Sequence, residues 1–105
     1  MKANVPERPP HDPPLVLTLY VAGDNAYSRR ARENLDLLVR DCAASATIHV
    51  VDVLESPAMS LDWRIFATPT LVIAGNGGHA SLFVGDPRDD EDIRAILVAA
   101  RESRV

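Results

Sequence analysis

The chain has 105 residues, of which 47% are hydrophobic and 25% are charged, and its formal net charge is -4. This length suits one domain with a moderate core, and the acidic balance offers no basic surface for a phosphate backbone, so nucleic acid is not an expected partner. The single cysteine, Cys42, cannot form an internal disulfide, a CxxC dithiol or a zinc site of mainly thiolate ligands, which fits a cytoplasmic protein.

The N-terminal segment is rich in proline. Residues 1–14 hold five of the eight prolines and no apolar run of the kind found in a secretory signal or a membrane span. Such a segment cannot bury enough surface to offset its ordering entropy. We therefore expect 1–14 to be a flexible tail and 15–105 to be the folded domain, with a docking role for the tail as the alternative.

A strand, a helix and a second strand are predicted next. Residues 15–21 are nearly all apolar or β-favouring, as in a central strand covered on both faces. Asp24 or Asn25 is expected to cap a helix that begins at about Ala26. Its apolar stripe comprises Tyr27, Ala31, Leu35, Leu38, Val39 and Cys42. A β-branched segment at 47–53 then completes a right-handed βαβ unit, so the two strands should be parallel.

A short helix and an antiparallel hairpin are predicted for the middle of the chain. The helix over 56–62 opens with a Ser-Pro pair, which is typical of an N-cap followed by the first helical residue. Apolar segments at 70–74 and 80–84 flank the glycine-rich connection 75–79. Glycines accept the positive φ angles of tight turns, so the two segments should pair as a hairpin.

The last predicted element is a helix that runs to about Glu102. Asp86 and Pro87 repeat the cap-plus-proline start, and the acidic residues at 89–92 favour a helix N-terminus. Its apolar stripe comprises Ile93, Ile96, Leu97 and Ala100. The complete order β-α-β-α-β-β-α predicts a single α/β domain of thioredoxin-like topology, a three-layer sandwich with a mixed sheet. From that fold likeness we expect Pro69 to be a structural cis-proline.

Several short motifs also resemble those of one family. They are LYVAG at 19–23, the helix start at 28–31, VDVL at 51–54 followed by Pro57, ATPTL at 67–71, and the Gly85-Asp86 pair. Their order and spacing over 15–105 resemble the KaiB family of circadian clock proteins. The resemblance implies a non-enzymatic regulator that binds the KaiC ATPase and alters its phosphorylation cycle. It also implies that fold switching between a tetrameric fold and a monomeric thioredoxin-like fold occurs in some members.

The C-terminal half departs from the family pattern. Clock KaiB proteins tend to carry prolines after ATPTL, whereas 75–78 here suit a hairpin, and Ile96 and Val98 stand where members can have glycine and aspartate. Replacing an interior glycine of a helix by another residue stabilises the helix by roughly 0.5 to 1 kcal/mol. Because two folds of one chain can differ by a few kcal/mol, we expect this chain to rest mainly in the thioredoxin-like state.

The sequence offers no redox or hydrolytic centre of a recognisable kind. In a thioredoxin the cysteines stand at the start of the first helix, where residues 24–28 here are Asp, Asn, Ala, Tyr and Ser. Cys42 falls late on the apolar stripe, so a buried structural role is favoured over the alternative of a thioredoxin-fold enzyme that uses Cys42 alone. Ser28 lacks a recognisable base and is expected to cap the helix or face solvent.

No metal or cofactor site is predicted either. The three histidines lack the spacing of metal ligands, and the acidic residues at 89–92 lack the alternation and the glycine of an EF-hand loop. The glycines at 75–78 are followed by a strand and not by the Lys-Ser or Lys-Thr of a phosphate-binding loop.

What remains is a surface for protein partners. Val98 lies off the apolar stripe of the last helix, and an exposed aliphatic side chain there suits a partner. By position in the family, Arg64 is a candidate contact for a KaiC-like ATPase, and Arg30 is a candidate contact for a second partner, with a solvated charge as the alternative. A KaiB-like sensor or adaptor for a histidine kinase or stress pathway stays open, as does a homo-oligomer.

Overall fold

The computed structural model describes residues 15–42, 46–58, 65, 67–75, 80–88 and 90–102. Its helices and strands are β1 (Leu15–Val21), α1 (Ala26–Asp41), β2 (Ala46–Asp52), β3 (Thr70–Ala74), β4 (Ala80–Val84) and α2 (Glu91–Glu102). The tail at 1–14 and most of the predicted short helix lie outside the described residues. Pro57 and Ala58, at the start of that helix, are helical as predicted.

Within the described residues the strands form one mixed sheet in the order β2-β1-β3-β4. β1 pairs with β2 in parallel and with β3 antiparallel, and β3 pairs with β4 as the predicted antiparallel hairpin. β1 is therefore an inner strand, which confirms its predicted central place. The two flanking strands of a βαβ unit must be parallel because the helix returns the chain to the same end of the sheet.

The hydrophobic core lies between one face of this sheet and both α1 and α2. The sheet contributes the buried side chains of Leu17, Leu19, Val21, Leu71 and Ile73 to this core, and the two helices contribute those of Ala31, Leu35, Leu38, Ile93 and Leu97. On the opposite face Tyr20, Thr70 and Val72 are also buried, whereas Val16 is 38% exposed. The prediction that β1 is covered on both faces is thus correct for its second half and wrong at Val16.

The start of α1 corrects the predicted apolar stripe. Asn25 is the N-cap, and its Oδ1 accepts a hydrogen bond from the Ser28 N–H at 3.0 Å. The side chain of Tyr27, however, is 78% exposed. Tyr27 belongs to the first turn of α1 and precedes Ala31, the first buried residue of that helix. Helical periodicity alone does not show how far along a helix the core extends.

The start of α2 is also different from the prediction. The helix begins at Glu91, and the carboxylate of Asp90 caps it by accepting from the Ile93 N–H at 3.0 Å. Asp86 instead accepts from the side-chain amide of Asn34 at 2.9 Å and from the Arg88 N–H at 2.9 Å. The carboxylate that was expected to cap α2 therefore ties the preceding loop to α1.

No helix in the described ranges is both long enough and apolar enough to cross a lipid bilayer.

Candidate protein-binding face

The proline turn lies at the end of the sheet beside the start of α1. The peptide bond between Thr68 and Pro69 is cis, which confirms the expectation for Pro69. The turn is held from two sides, since the Gly85 N–H donates to the Pro69 carbonyl at 2.8 Å and the Thr70 hydroxyl donates to the Ala67 carbonyl at 2.6 Å. Pro69 consequently has a fixed position relative to the hairpin.

An open groove, which we call the cis-proline groove, separates this turn from α1. Its volume is about 280 Å³, and its lining residues are Val21, Ala22, Asn25, Tyr27, Ser28, Thr68 and Pro69. The lining combines an exposed phenol, a hydroxyl, a side-chain amide and backbone groups. Among the residues that the structure describes, the lining contains neither a thiol nor a histidine. Such a surface can contact and hydrogen-bond a protein segment.

The loop that forms one wall of the groove is fixed by Asp52 at the end of β2. Its Oδ1 accepts from the Gly23 N–H and from the Leu54 N–H, both at 2.9 Å. Gly23 has a φ of +81°, a conformation that side chains rarely adopt. The VDVL motif predicted strand residues but not this role of the carboxylate, because its partner Gly23 is 29 residues away in sequence.

A shallow depression continues the groove across α1 toward β2. Its volume is about 190 Å³, and it shares Val21 and Ser28 with the groove while adding the guanidinium groups of Arg29 and Arg32. Arg29 also pairs with Asp24 at 3.0 Å, with both side chains well exposed. Such a surface pair contributes little stability, so these charges are available mainly for long-range steering.

Two of the three candidate contact residues from the sequence, Arg30 and Val98, are among the described residues. Arg30 is exposed on α1, as predicted, but it does not line the groove. Val98 is half-buried and packs against the core, so the prediction of an exposed side chain is wrong. The apolar side of a helix that covers a sheet is broad, and Val98 lies at its margin. Arg64 lies outside the described residues.

Cys42 lies at the other end of α1 from the groove. Its side chain is 2% exposed, and it forms the C-cap of the helix. The Arg94 guanidinium approaches its Sγ at 3.9 Å. A helix of 16 residues is about 24 Å long, so this thiol cannot act on anything bound in the groove. The predicted burial of Cys42 is therefore confirmed.

We expect the Cys42 thiol to react slowly with iodoacetamide in the native protein. Alkylation has to wait for local opening of the helix end, so the rate should fall roughly 100-fold below that of the unfolded chain. Mass spectrometry of samples quenched over time, with and without guanidinium chloride, measures the ratio. Equal rates would contradict the buried position and revive the alternative of a Cys42-dependent enzyme.

Within the described ranges, no group of three His, Cys, Asp or Glu side chains is placed to hold a metal ion.

Solved structures place the chain in a known class. A thioredoxin from Fasciola hepatica superimposes with a TM-score of 0.65 at 17% sequence identity, covering 83% of this chain and 81% of the thioredoxin. The N-terminal domain of SasA from Synechococcus elongatus gives a TM-score of 0.62 at 20% identity, covering 87% of this chain and 82% of that domain. The chain therefore has the thioredoxin-like fold that its element order predicted.

Sequence comparison identifies the family. The family model described as the KaiB domain matches residues 18–97, and the chain belongs to the KaiB family. A curated relative is the circadian clock oscillator protein KaiB from Nostoc punctiforme, 42% identical over 57 residues, which make up 53% of this chain and 55% of the relative. The chain thus spans about half the length of the curated relatives it matches.

Proposed function

We propose that this protein is a non-enzymatic, protein-binding regulator whose partner is a KaiC-type ATPase in circadian or stress signalling. The observation that carries the proposal is the combination of a KaiB domain at 18–97 with an active-site face that has no thiol. At the position where a thioredoxin reacts, this chain presents Asn25, Tyr27 and Ser28. The chain keeps the thioredoxin-like scaffold, while the side chains at this face are of the kinds that bind a protein partner.

The groove supplies what a protein partner needs. Tyr27 is an exposed aromatic side chain beside the rigid turn at Pro69, and aromatic groups often provide most of the affinity at protein interfaces. Arg30, nearby in sequence on α1, adds a solvent-exposed charge. Exposed charges at the rim of an interface mainly affect the association rate and the choice of partner.

Val98 and Arg64 have different places in this proposal. Because Val98 packs against the core, we assign it an indirect role in which it fixes the position of α2. Arg64 keeps its role as a proposed charged contact to the ATPase. A cytoplasmic location follows from the proposed partner.

The proposal is tested by size-exclusion chromatography of this chain with a KaiC homologue from the same organism, in ATP and in ADP. We expect co-elution in at least one nucleotide state. Tyr27→Ala should weaken it roughly 10-fold or more, whereas Tyr27→Phe, which keeps the ring, should bind nearly as well as the native chain. Absence of association in every nucleotide state would overturn the proposal.

The likeness to the SasA domain concerns the fold and leaves one competing function. A KaiB-like adaptor for a histidine kinase pathway should co-elute with that kinase and not with the ATPase. Running both candidate partners on the same column separates the two functions.

A further inference from the structure

β4 is an edge strand without the usual protection. It pairs with β3 on one side, and no strand in the described part of the chain pairs with its other side. Its segment Ala80–Val84 contains no charged residue and no proline, and the side chains of Leu82 and Val84 are 44% and 73% exposed. Edge strands in natural proteins usually carry charges, prolines or bulges that prevent pairing with another chain. Within the described part of the chain, the outer edge of β4 is therefore open to another strand.

The register shows which backbone groups face outward. The Gly85 N–H donates to the Pro69 carbonyl, and the next pair along the ladder is Val84 with Thr70. Peptide groups of successive residues in a strand point to alternate sides. Since the Gly85 N–H points toward β3, the N–H and C=O groups of Ala80, Leu82 and Val84 point away from β3.

We infer that β4 pairs with β4 of a second copy of this chain, antiparallel, with the two-fold axis at Leu82. This register sets Leu82 against Leu82 of the second copy and Ala80 against Val84. Every outward N–H then meets an outward C=O, and the exposed side chains of Leu82 and Val84 are covered by apolar neighbours. The contact is isologous, so it closes on itself and stops at a dimer.

The strand's own composition favours a second copy as the occupant. When a strand pairs with its own copy, each charged side chain meets the same charge across the two-fold axis. Ala80–Val84 has no charged side chain, so this repulsion does not arise. A five-residue strand gives an interface well below the roughly 1,200 Å² of a stable complex, so the dimer is weak and depends on concentration. Each copy carries a net charge of -4, so added salt should strengthen the dimer.

Sedimentation velocity of the full chain, over about 10 μM to about 1 mM, tests the inference in the range where weak interfaces become half-occupied. We expect the sedimentation coefficient to rise from that of a monomer to that of a dimer. Leu82→Lys places two charges on the axis and should weaken the dimer at least 10-fold. A matched control is Thr47→Lys, an exposed position on the same sheet face at the opposite edge, which should leave it unchanged.

Two outcomes of that experiment overturn the inference: a monomer at every concentration, and a dimer that is lost in Thr47→Lys but kept in Leu82→Lys. A second measurement avoids any variant. In a mixture of isotope-labelled and unlabelled chains, the proposed register brings the Hα of Ser81 close to the Hα of Phe83 of the second copy. An intermolecular NOE between them supports the register. A dimer whose contacts come from β2 contradicts it.

Discussion

The Asp52→Ala variant is expected to unfold with a free energy about 2 to 3 kcal/mol lower than that of the native chain. The carboxylate accepts hydrogen bonds from the Gly23 and Leu54 N–H groups at 2.9 Å, and alanine leaves both donors without it. A hydrogen bond to a charged group contributes more to the free energy of unfolding than a neutral one does. The bond from the exposed Leu54 N–H contributes less, which lowers the total for the two bonds. Urea denaturation followed by circular dichroism measures the loss.

Asp52→Asn is the matched control for this prediction. The amide keeps an oxygen acceptor for the same two N–H groups and removes only the charge, so its cost should stay below about 1 kcal/mol. Equal losses in the two variants would contradict the role assigned to the oxygen acceptor. Because Gly23 belongs to the loop beside the cis-proline groove, Asp52→Ala should also weaken partner binding more than Asp52→Asn does.

The second large effect is expected in α2. Replacing Ile96 by glycine and Val98 by aspartate introduces the residues that other family members can have at these positions. Glycine in a helix interior costs about 1 kcal/mol, and the lost contact of Ile96 with the core and the aspartate at Val98 each cost about 1 to 2 kcal/mol. We therefore expect a total loss of about 3 kcal/mol or more, measured by urea denaturation.

The double variant Ile96→Ala with Val98→Ala isolates the specific part of this effect. Alanine removes the same side-chain contacts but favours the helix, so its cost should be smaller by about 1 kcal/mol or more. Only the glycine and aspartate pair is expected to populate a second conformation, visible as extra amide peaks for β3 and β4. Equal stability of the two double variants, with a single set of peaks in both, would contradict the hypothesis that Ile96 and Val98 hold this chain mainly in the thioredoxin-like state.

Much of the fold follows from patterns that are local in sequence. The apolar segment Leu15–Val21, the helical spacing of α1 and the glycine-rich connection before β4 each predict their element without reference to the rest of the chain. The order of these elements then leaves few topologies, because a parallel pair joined by a helix has one favoured handedness. The mixed sheet was therefore accessible from the sequence.

The wrong predictions concern side chains whose burial or hydrogen-bond partner depends on how two elements pack against each other. Tyr27 has the spacing of a core residue, but it is exposed in the first turn of α1, ahead of the first buried residue, Ala31. Val98 lies outside the predicted stripe, yet it is partly buried against the core. Asp86 has the position of a helix cap, but Asn34 on α1 binds its carboxylate. In each case the position of the side chain is set by tertiary contacts, which the periodicity of the sequence does not reveal.

The candidate site divides in the same way. The absence of cysteine at 24–28 and the proline turn at 67–71 are visible in the sequence, and together they indicate a thioredoxin-like scaffold without thiol chemistry. The cis-proline groove could not be predicted from the sequence. Tyr27 and Pro69 are far apart in the chain, and only the fold places them on either side of one gap. The open edge at β4 likewise needs the strand order.

Our central claim is that the free chain already holds the thioredoxin-like arrangement in which its binding face is assembled. Backbone NMR assignment of the unliganded protein tests it most directly. We expect strand chemical shifts at 70–74 and 80–84 with NOEs between the two strands, and helical shifts at 91–102. Helical shifts across 71–84, or strand pairing across 93–99, would contradict the claim.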